Sequence, residues 1–256
     1  MSKLSAEEKF IDLSDYGRPI AIKIAQTFSN TSITPVHVTL MFGISGLTAS
    51  WLIIKGYYAP AGLFLILKSI LDAADGELAR MKRTPSYTGR YLDSVFDIIL
   101  NFIILFTIQQ VTGQPLWLML FAFASIQLQG TLYNYYYVIL RQKSAHGDKT
   151  SRIFETDTPK ALPGEKQWSV NLLFNTYLLF YTLFDRIIYF LDRNASESDT
   201  FPKWFMTLLS LYGLGFQLMI IAIFLSVGLI GWILPFFIWY SVGILIFIGI
   251  RKALLN

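Results

Sequence analysis

Four aspartates recur at helical intervals between residues 72 and 97: Asp72, Asp75, Asp93 and Asp97. Asp72, Asp75 and Ala79 are three and four residues apart, so they share one helical face, with Gly76 beside them. Gly89, Asp93 and Asp97 step by four and share a face of the next helix. The turn between them, "KRTPSY", is short enough for the two faces to meet and the four carboxylates to converge. Their flanks, "YAPAGLFLILKSI" and "NFIILFTIQQV", are apolar. In a bilayer each ionised side chain costs about 2.5–3.5 kcal/mol, so four cost on the order of 10 kcal/mol before their mutual repulsion. Hard divalent cations offset that cost, because Mg²⁺ and Mn²⁺ prefer carboxylate oxygen. Two ions held by shared carboxylates are a device for phosphoryl transfer at a bound phosphate or pyrophosphate. Gly76 and Gly89 leave room for a bulky ligand to approach the backbone. A purely structural polar cluster and an ion-coupled transporter are the competing readings. A transporter site more often lies near the membrane midplane on interrupted helices, whereas this one flanks a turn.

The full string is Asp72-x2-Asp75-Gly76-x2-Ala79-Arg80-x8-Gly89-x3-Asp93-x3-Asp97. It resembles the signature of the CDP-alcohol phosphotransferase (CDP-alcohol phosphatidyltransferase) family at all eight fixed positions. At average residue usage a chance match arises on the order of once in 10^10 windows, so the motif is specific. Upstream, "ITPVHVTL" is similar to the family's Thr-Pro-Asn-x-x-Thr start of the first span, with Val36 in place of the asparagine. The likeness covers roughly residues 15–140. It implies that Asp72, Asp75 and Asp93 are ligands of a two-metal site (Mg²⁺ or Mn²⁺), with Asp97 also close to the metals. Asp97 would be the general base that deprotonates the acceptor hydroxyl. Gly76, Ala79 and Arg80 would line the CDP site, with Gly89 across from them. The implied reaction joins an alcohol to a substituted phosphoryl group and releases CMP. The expected donor is CDP-diacylglycerol, with a small polar alcohol, free or phosphorylated, as acceptor. A CDP-choline/ethanolamine-type transferase with a diacylglycerol acceptor is the alternative.

The elements that must position these residues read as membrane helices. Of 256 residues 54% are hydrophobic and only 15% charged, against about a quarter charged in soluble domains. This is the composition of an all-α polytopic membrane protein, so the bilayer is an expected partner and nucleic acid is not. A homodimer is possible. Spans are expected near 36–54, 59–82, 88–111, 116–140, 204–227 and 230–251, each about long enough to cross. Residues 36–256 would form the transmembrane catalytic domain. Residues 1–35 would form a polar N-terminal region, with an amphipathic surface helix over 15–28. Segment 168–191 could span or lie in the interface, because Asn171, Asn175, Thr182 and Arg186 recur along one face; six spans plus an interfacial segment is the favoured reading. Lysines and arginines gather on the side of the aspartates, with Lys55 alone on the opposite loops, which puts the active site in the cytosol. The chain has no cysteine, which excludes disulfides, thiolate metal sites and a cysteine nucleophile.

Other residues carry weaker signals. Lys68 lies four residues before Asp72 and could pair with it. Lys68, Arg90, Arg141, Lys149 and Arg152 together form a candidate acceptor pocket for an anionic group, or else part of the basic surface expected on this side. Tyr133, Tyr135, Tyr136 and Tyr137 fit an interfacial aromatic belt. His37 fits the start of the first span.

Overall fold

The computed structural model describes residues 9–143, 157–198 and 201–254. These are helical, with no strand among them. The helices are α1 (Arg18–Ser29), α2 (Pro35–Ile54), α3 (Tyr58–Lys82), α4 (Tyr87–Thr112), α5 (Leu116–Lys143), α6 (Gln167–Leu191), α7 (Lys203–Leu209), α8 (Leu214–Ser226), α9 (Ile233–Tyr240) and α10 (Val242–Leu254). Four stretches are long and apolar enough to cross a membrane on their own: α2, α4, α5 and Ile230–Ala253. The pair α7 and α8, bent by 51°, makes a fifth if counted as one span. At 25 residues α3 is long enough as well, but its charges from Lys68 onward keep it off that group.

Leaving α6 aside, the described residues run along the bundle in six stretches. The aspartate motif marks one end, the site end. From there α2 leads to the far end, α3 returns, α4 leaves and α5 returns. The pair α7–α8 leaves again, and α9–α10 returns. Side-chain contacts fix these directions. At the far end Gln114 Nε2 donates to the Gly231 carbonyl, and Gly62 of α3 lies against the Ala222 backbone of α8. At the site end Arg251 of α10 pairs with Asp192, just beyond α6. The core clusters around Phe42, Leu65, Ile104, Ile126, Leu218 and Phe237, drawn from α2, α3, α4, α5, α8 and α9.

Local chemistry explains where the site helices begin and end. Thr34 and His37 form a reciprocal cap: His37 N–H donates to Thr34 Oγ1, and Thr34 N–H donates to His37 Nδ1 at 3.1 Å. Helix α3 stops at Arg83, whose φ of +54° is left-handed, and Thr84 N–H turns back to the Ala79 carbonyl. Pro85 follows, and Ser86 caps α4 by accepting from Gly89 N–H at 2.8 Å. That tight reversal sets the two halves of the motif side by side. Glu165, just before α6, reinforces the same helix start: its carboxylate accepts from the Ser86 hydroxyl and the Thr88 N–H, both at 2.7 Å.

Helix α6 is anchored at both of its ends and in the middle. Glu165 ties its start to the first turn of α4. Tyr181 donates to the Ser94 carbonyl at 2.8 Å, and Phe174 and Tyr177 pack on Tyr91. At its close Asp192, fully buried, accepts from Tyr136 and Arg251, and Tyr135 donates to the Asp192 carbonyl at 3.0 Å. Tyr135 and Tyr136 are therefore buried hydrogen-bond donors rather than part of a lipid-facing belt. The four tyrosines within residues 133–137 looked like a belt because Asp192, the partner that draws Tyr135 and Tyr136 inward, lies more than fifty residues away.

Candidate active site

Asp72 and Asp75 on α3 and Asp93 on α4 each offer a carboxylate oxygen, and the three oxygens lie within 4.8 Å of one another. Such a cluster has strong mutual repulsion unless cations intervene. Two details fit cation binding. Asp93 Oδ1 is buried without a hydrogen-bond partner, an open ligand position. Asp75 is oriented by the Thr39 hydroxyl, which donates to its Oδ2 at 2.6 Å from a buried position on α2. The all-oxygen donor set suits Mg²⁺ or Mn²⁺. Thr39 is the last residue of the "TPVHVT" stretch, so the upstream motif has a task at the site that its sequence did not reveal.

Asp97 stands apart from this triad. Its Oδ1 accepts from Lys68 Nζ at 2.6 Å, and the Lys68 side chain has no solvent exposure. The lysine thus bridges to the neighbouring helix, where the i,i+4 spacing had pointed to Asp72 on its own. Lys68 also sits 4.8 Å from the centre of the Phe42 ring.

A cavity of about 480 Å³ opens over the triad. Of the residues expected at the CDP site, Gly76 and Arg80 line it; Ala79 and Gly89 do not. The Arg80 guanidinium lies over Gly76, in the space a side chain there would restrict. Gly89 instead serves the first turn of α4, where its N–H meets Ser86. Of the candidate acceptor residues, Arg90 and Arg141 line the cavity and Lys68 does not, while Lys149 and Arg152 lie outside the described residues.

Several lining residues come from outside the aspartate motif. The segment before α1 brings Asp12, Ser14 and Asp15 to the rim, and α1 opens there with Arg18. Arg18 bridges Asp15 and Glu77, and Glu77 also holds Arg80 at 2.7 Å, so this wall is an alternating charge chain. Tyr133 donates to Asp12, and Leu13 N–H donates to Ser210 Oγ at 2.9 Å. Ser14 seats against Gly213 and Gly215 at the start of α8 so closely that a Cβ on either glycine would collide with it. Tyr177 of α6 closes another side. The Asp15 to Arg18 and Glu77 to Arg80 pairs, both at i,i+3, are local in sequence; the other contacts of this wall join distant segments.

Comparison with known proteins agrees with this geometry. A bifunctional IPC transferase and DIPP synthase of Archaeoglobus fulgidus is 31% identical over 121 residues, 46% of this chain and 25% of that protein. An archaetidylinositol phosphate synthase of Pyrococcus horikoshii is 35% identical over 86 residues, 34% of this chain and 46% of its own length. The chain thus spans less than half the length of either relative. A family profile described as CDP-alcohol phosphatidyltransferase matches residues 27–161, a stretch that holds the capped start of α2, the three clustered aspartates and Asp97. Because that match takes in just over half of the chain and every position of the signature, the chain belongs to the CDP-alcohol phosphatidyltransferase family.

Proposed function

We propose that this protein transfers a phosphatidyl group from CDP-diacylglycerol to a small phosphorylated alcohol and releases CMP. The observation that carries the reading is the shared cavity. It sets five aspartates, Asp12, Asp15, Asp72, Asp75 and Asp93, beside four arginines, Arg18, Arg80, Arg90 and Arg141. Carboxylates alone would repel two phosphorylated substrates. Arginine suits phosphate because its planar fork donates in pairs. The product named for the Pyrococcus relative contains inositol phosphate, which supports a phosphorylated polyol as acceptor. Arg80, beside Gly76, is the candidate cation for the CDP side, and Arg90 with Arg141 for the acceptor phosphate.

Asp72, Asp75 and Asp93 would hold divalent cations. Bound there, such ions would supply positive charge to the CDP pyrophosphate and to the CMP leaving group. The acceptor hydroxyl attacks the phosphorus that carries the lipid alcohol. A new P–O bond forms to the acceptor, the P–O bond to CMP breaks, and the hydroxyl proton passes to Asp97 directly or through a water. Lys68 holds the Asp97 carboxylate in place. No covalent enzyme intermediate is required. The clustering of lysine and arginine at the site end supports a cytosolic site in an integral membrane protein.

The test is CMP release by purified protein with CDP-diacylglycerol and a panel of free and phosphorylated alcohols. Turnover with phosphorylated polyols supports the proposal. Turnover only with diacylglycerol and a CDP-linked head group would replace it with the choline/ethanolamine-type reaction. Ion-driven uptake without CMP release would overturn it.

A further inference from the structure

We infer that α6 is an in-plane membrane helix: it lies along the site-side boundary of the bilayer, with its outer apolar stripe in lipid, and crosses nothing. Three observations carry this.

The first is where its contacts fall. Helix α4 leaves the site end and α5 returns to it. Contacts from the α6 region reach α4 at Ser86, Thr88, Tyr91 and Ser94, all in its first two turns. At the other end Tyr189 packs on Tyr135, and Asp192 binds Tyr136, within the last two or three turns of α5. A crossing helix would end near Leu116, about 30 Å from Tyr136 at 1.5 Å per residue.

The second is depth. Helix α5 has 28 residues, so it is about 42 Å long against a hydrocarbon core of about 30 Å. With its start at the far boundary, roughly its last 12 Å would stand beyond the hydrocarbon on the site side. Tyr136 lies about 10 Å from that end, so α6 rests at the level where acyl chains give way to headgroups.

The third is the outer face of α6. Trp168, Leu172, Leu179, Leu183 and Phe190 are all exposed, Phe190 at 85%. At 100° per residue they fall within about 60° of one another. Val170, Phe174 and Ile188, which are buried, lie on the opposite side. The polar residues Asn171, Asn175 and Thr182 form a separate strip between these faces, and the exposed Arg186 lies where that strip meets the apolar stripe, long enough to carry its charge up to the headgroups. This three-way division suits a helix with protein on one flank, lipid on the other and water above. With α6 in the plane, Arg193, Lys203, Arg251 and Lys252 all stay at the site end. Lys55 is then the lone lysine or arginine of the far end among the described residues, as the positive-inside rule expects.

The absence of native cysteine makes the test direct. Single cysteines at Lys166, at Asn194, at Thr84 as the site-end marker and at Lys55 as the far-end marker would be labelled in sealed vesicles with an impermeant maleimide. Lys166→Cys and Asn194→Cys should both label with Thr84→Cys; labelling of Asn194→Cys with Lys55→Cys would overturn the inference. Spin labels at Leu172→Cys, Leu179→Cys and Phe190→Cys should report one shared depth, with access to oxygen. A steady depth gradient would mean a span and overturn it. Access mainly to a water-soluble nickel complex would mean a stripe in water, and spin–spin broadening with loss of oxygen access would mean packing against a second copy; either overturns the lipid assignment.

Discussion

Lys68 reaches across from α3 to grip Asp97 on α4 at 2.6 Å, and it does so with no part of its side chain in solvent. Removing one partner of a buried pair leaves an uncompensated charge, which typically costs about 3–5 kcal/mol. Lys68→Met should therefore lower thermal stability markedly in detergent, whereas Lys68→Arg should retain most of it. The double variant Lys68→Met with Asp97→Leu should regain stability yet stay inactive. An active double variant would exclude Asp97 as the base. Asp97→Asn alone should reduce kcat by about 10²- to 10⁴-fold, the usual contribution of a positioned base, with the donor KM little changed.

Thr39 offers a finer probe of the metal triad than the ligands themselves. Thr39→Val keeps the shape but removes the hydroxyl that orients Asp75. Loss of such an outer partner costs about 10- to 100-fold in metal affinity. The Mg²⁺ or Mn²⁺ concentration for half-maximal CMP release should rise accordingly, while activity at saturating metal largely recovers. Asp93→Asn should not recover at any metal concentration, and chelation should silence the native enzyme. Full activity in excess chelator would end the divalent-metal reading.

Arg90 and Arg141 should separate the two substrates. Arg90→Gln and Arg141→Gln should raise the acceptor KM and leave the CDP-donor KM nearly unchanged, the pattern of lost ground-state binding. With an uncharged acceptor both substitutions should be close to silent.

The notch that receives Ser14 is open to a steric test. Gly215→Val would drive its Cβ into the Ser14 backbone. The segment Asp12–Gly17 should then detach, seen as faster proteolysis ahead of Arg18 and a higher KM for at least one substrate. Unchanged proteolysis and kinetics would show that this wall is dispensable.

Glu165 gives a pH dependence outside the spans. Burial pushes its carboxyl up, but the Leu162 and Thr88 N–H groups and the Ser86 hydroxyl outweigh that and hold it below the ordinary glutamate range. A group lowered on folding stabilises the fold above its unfolded pKa, near 4.3–4.5, and that stabilisation fades as pH falls through the folded value. Melting curves should therefore show a loss below about pH 4.5 that Glu165→Gln flattens. Identical slopes for both proteins would remove Glu165 as the cause.

The parts of this molecule that were legible in sequence are those written at short range. Helical spacing brought Asp72, Asp75 and Asp93 to one point, and hydropathy marked the long helices. Spacing could not tell that Asp97 turns to Lys68, because that depends on how α4 is rotated against α3. Nor could it find Arg18, Tyr133 or Tyr177 at the cavity, since each arrives from a segment distant along the chain. Glu165 lay in a stretch with no periodic pattern, and its role exists only once α4 presents free N–H groups to it.

The hydrogen bond from Leu13 to Ser210 joins residues 197 positions apart. During synthesis the aspartate helices emerge long before the notch at Gly213 and Gly215, so a nascent chain carries the motif without its closing wall. The last rim of the cavity can form only once residues 210–215 have been made, so closure of this wall waits for the start of α8.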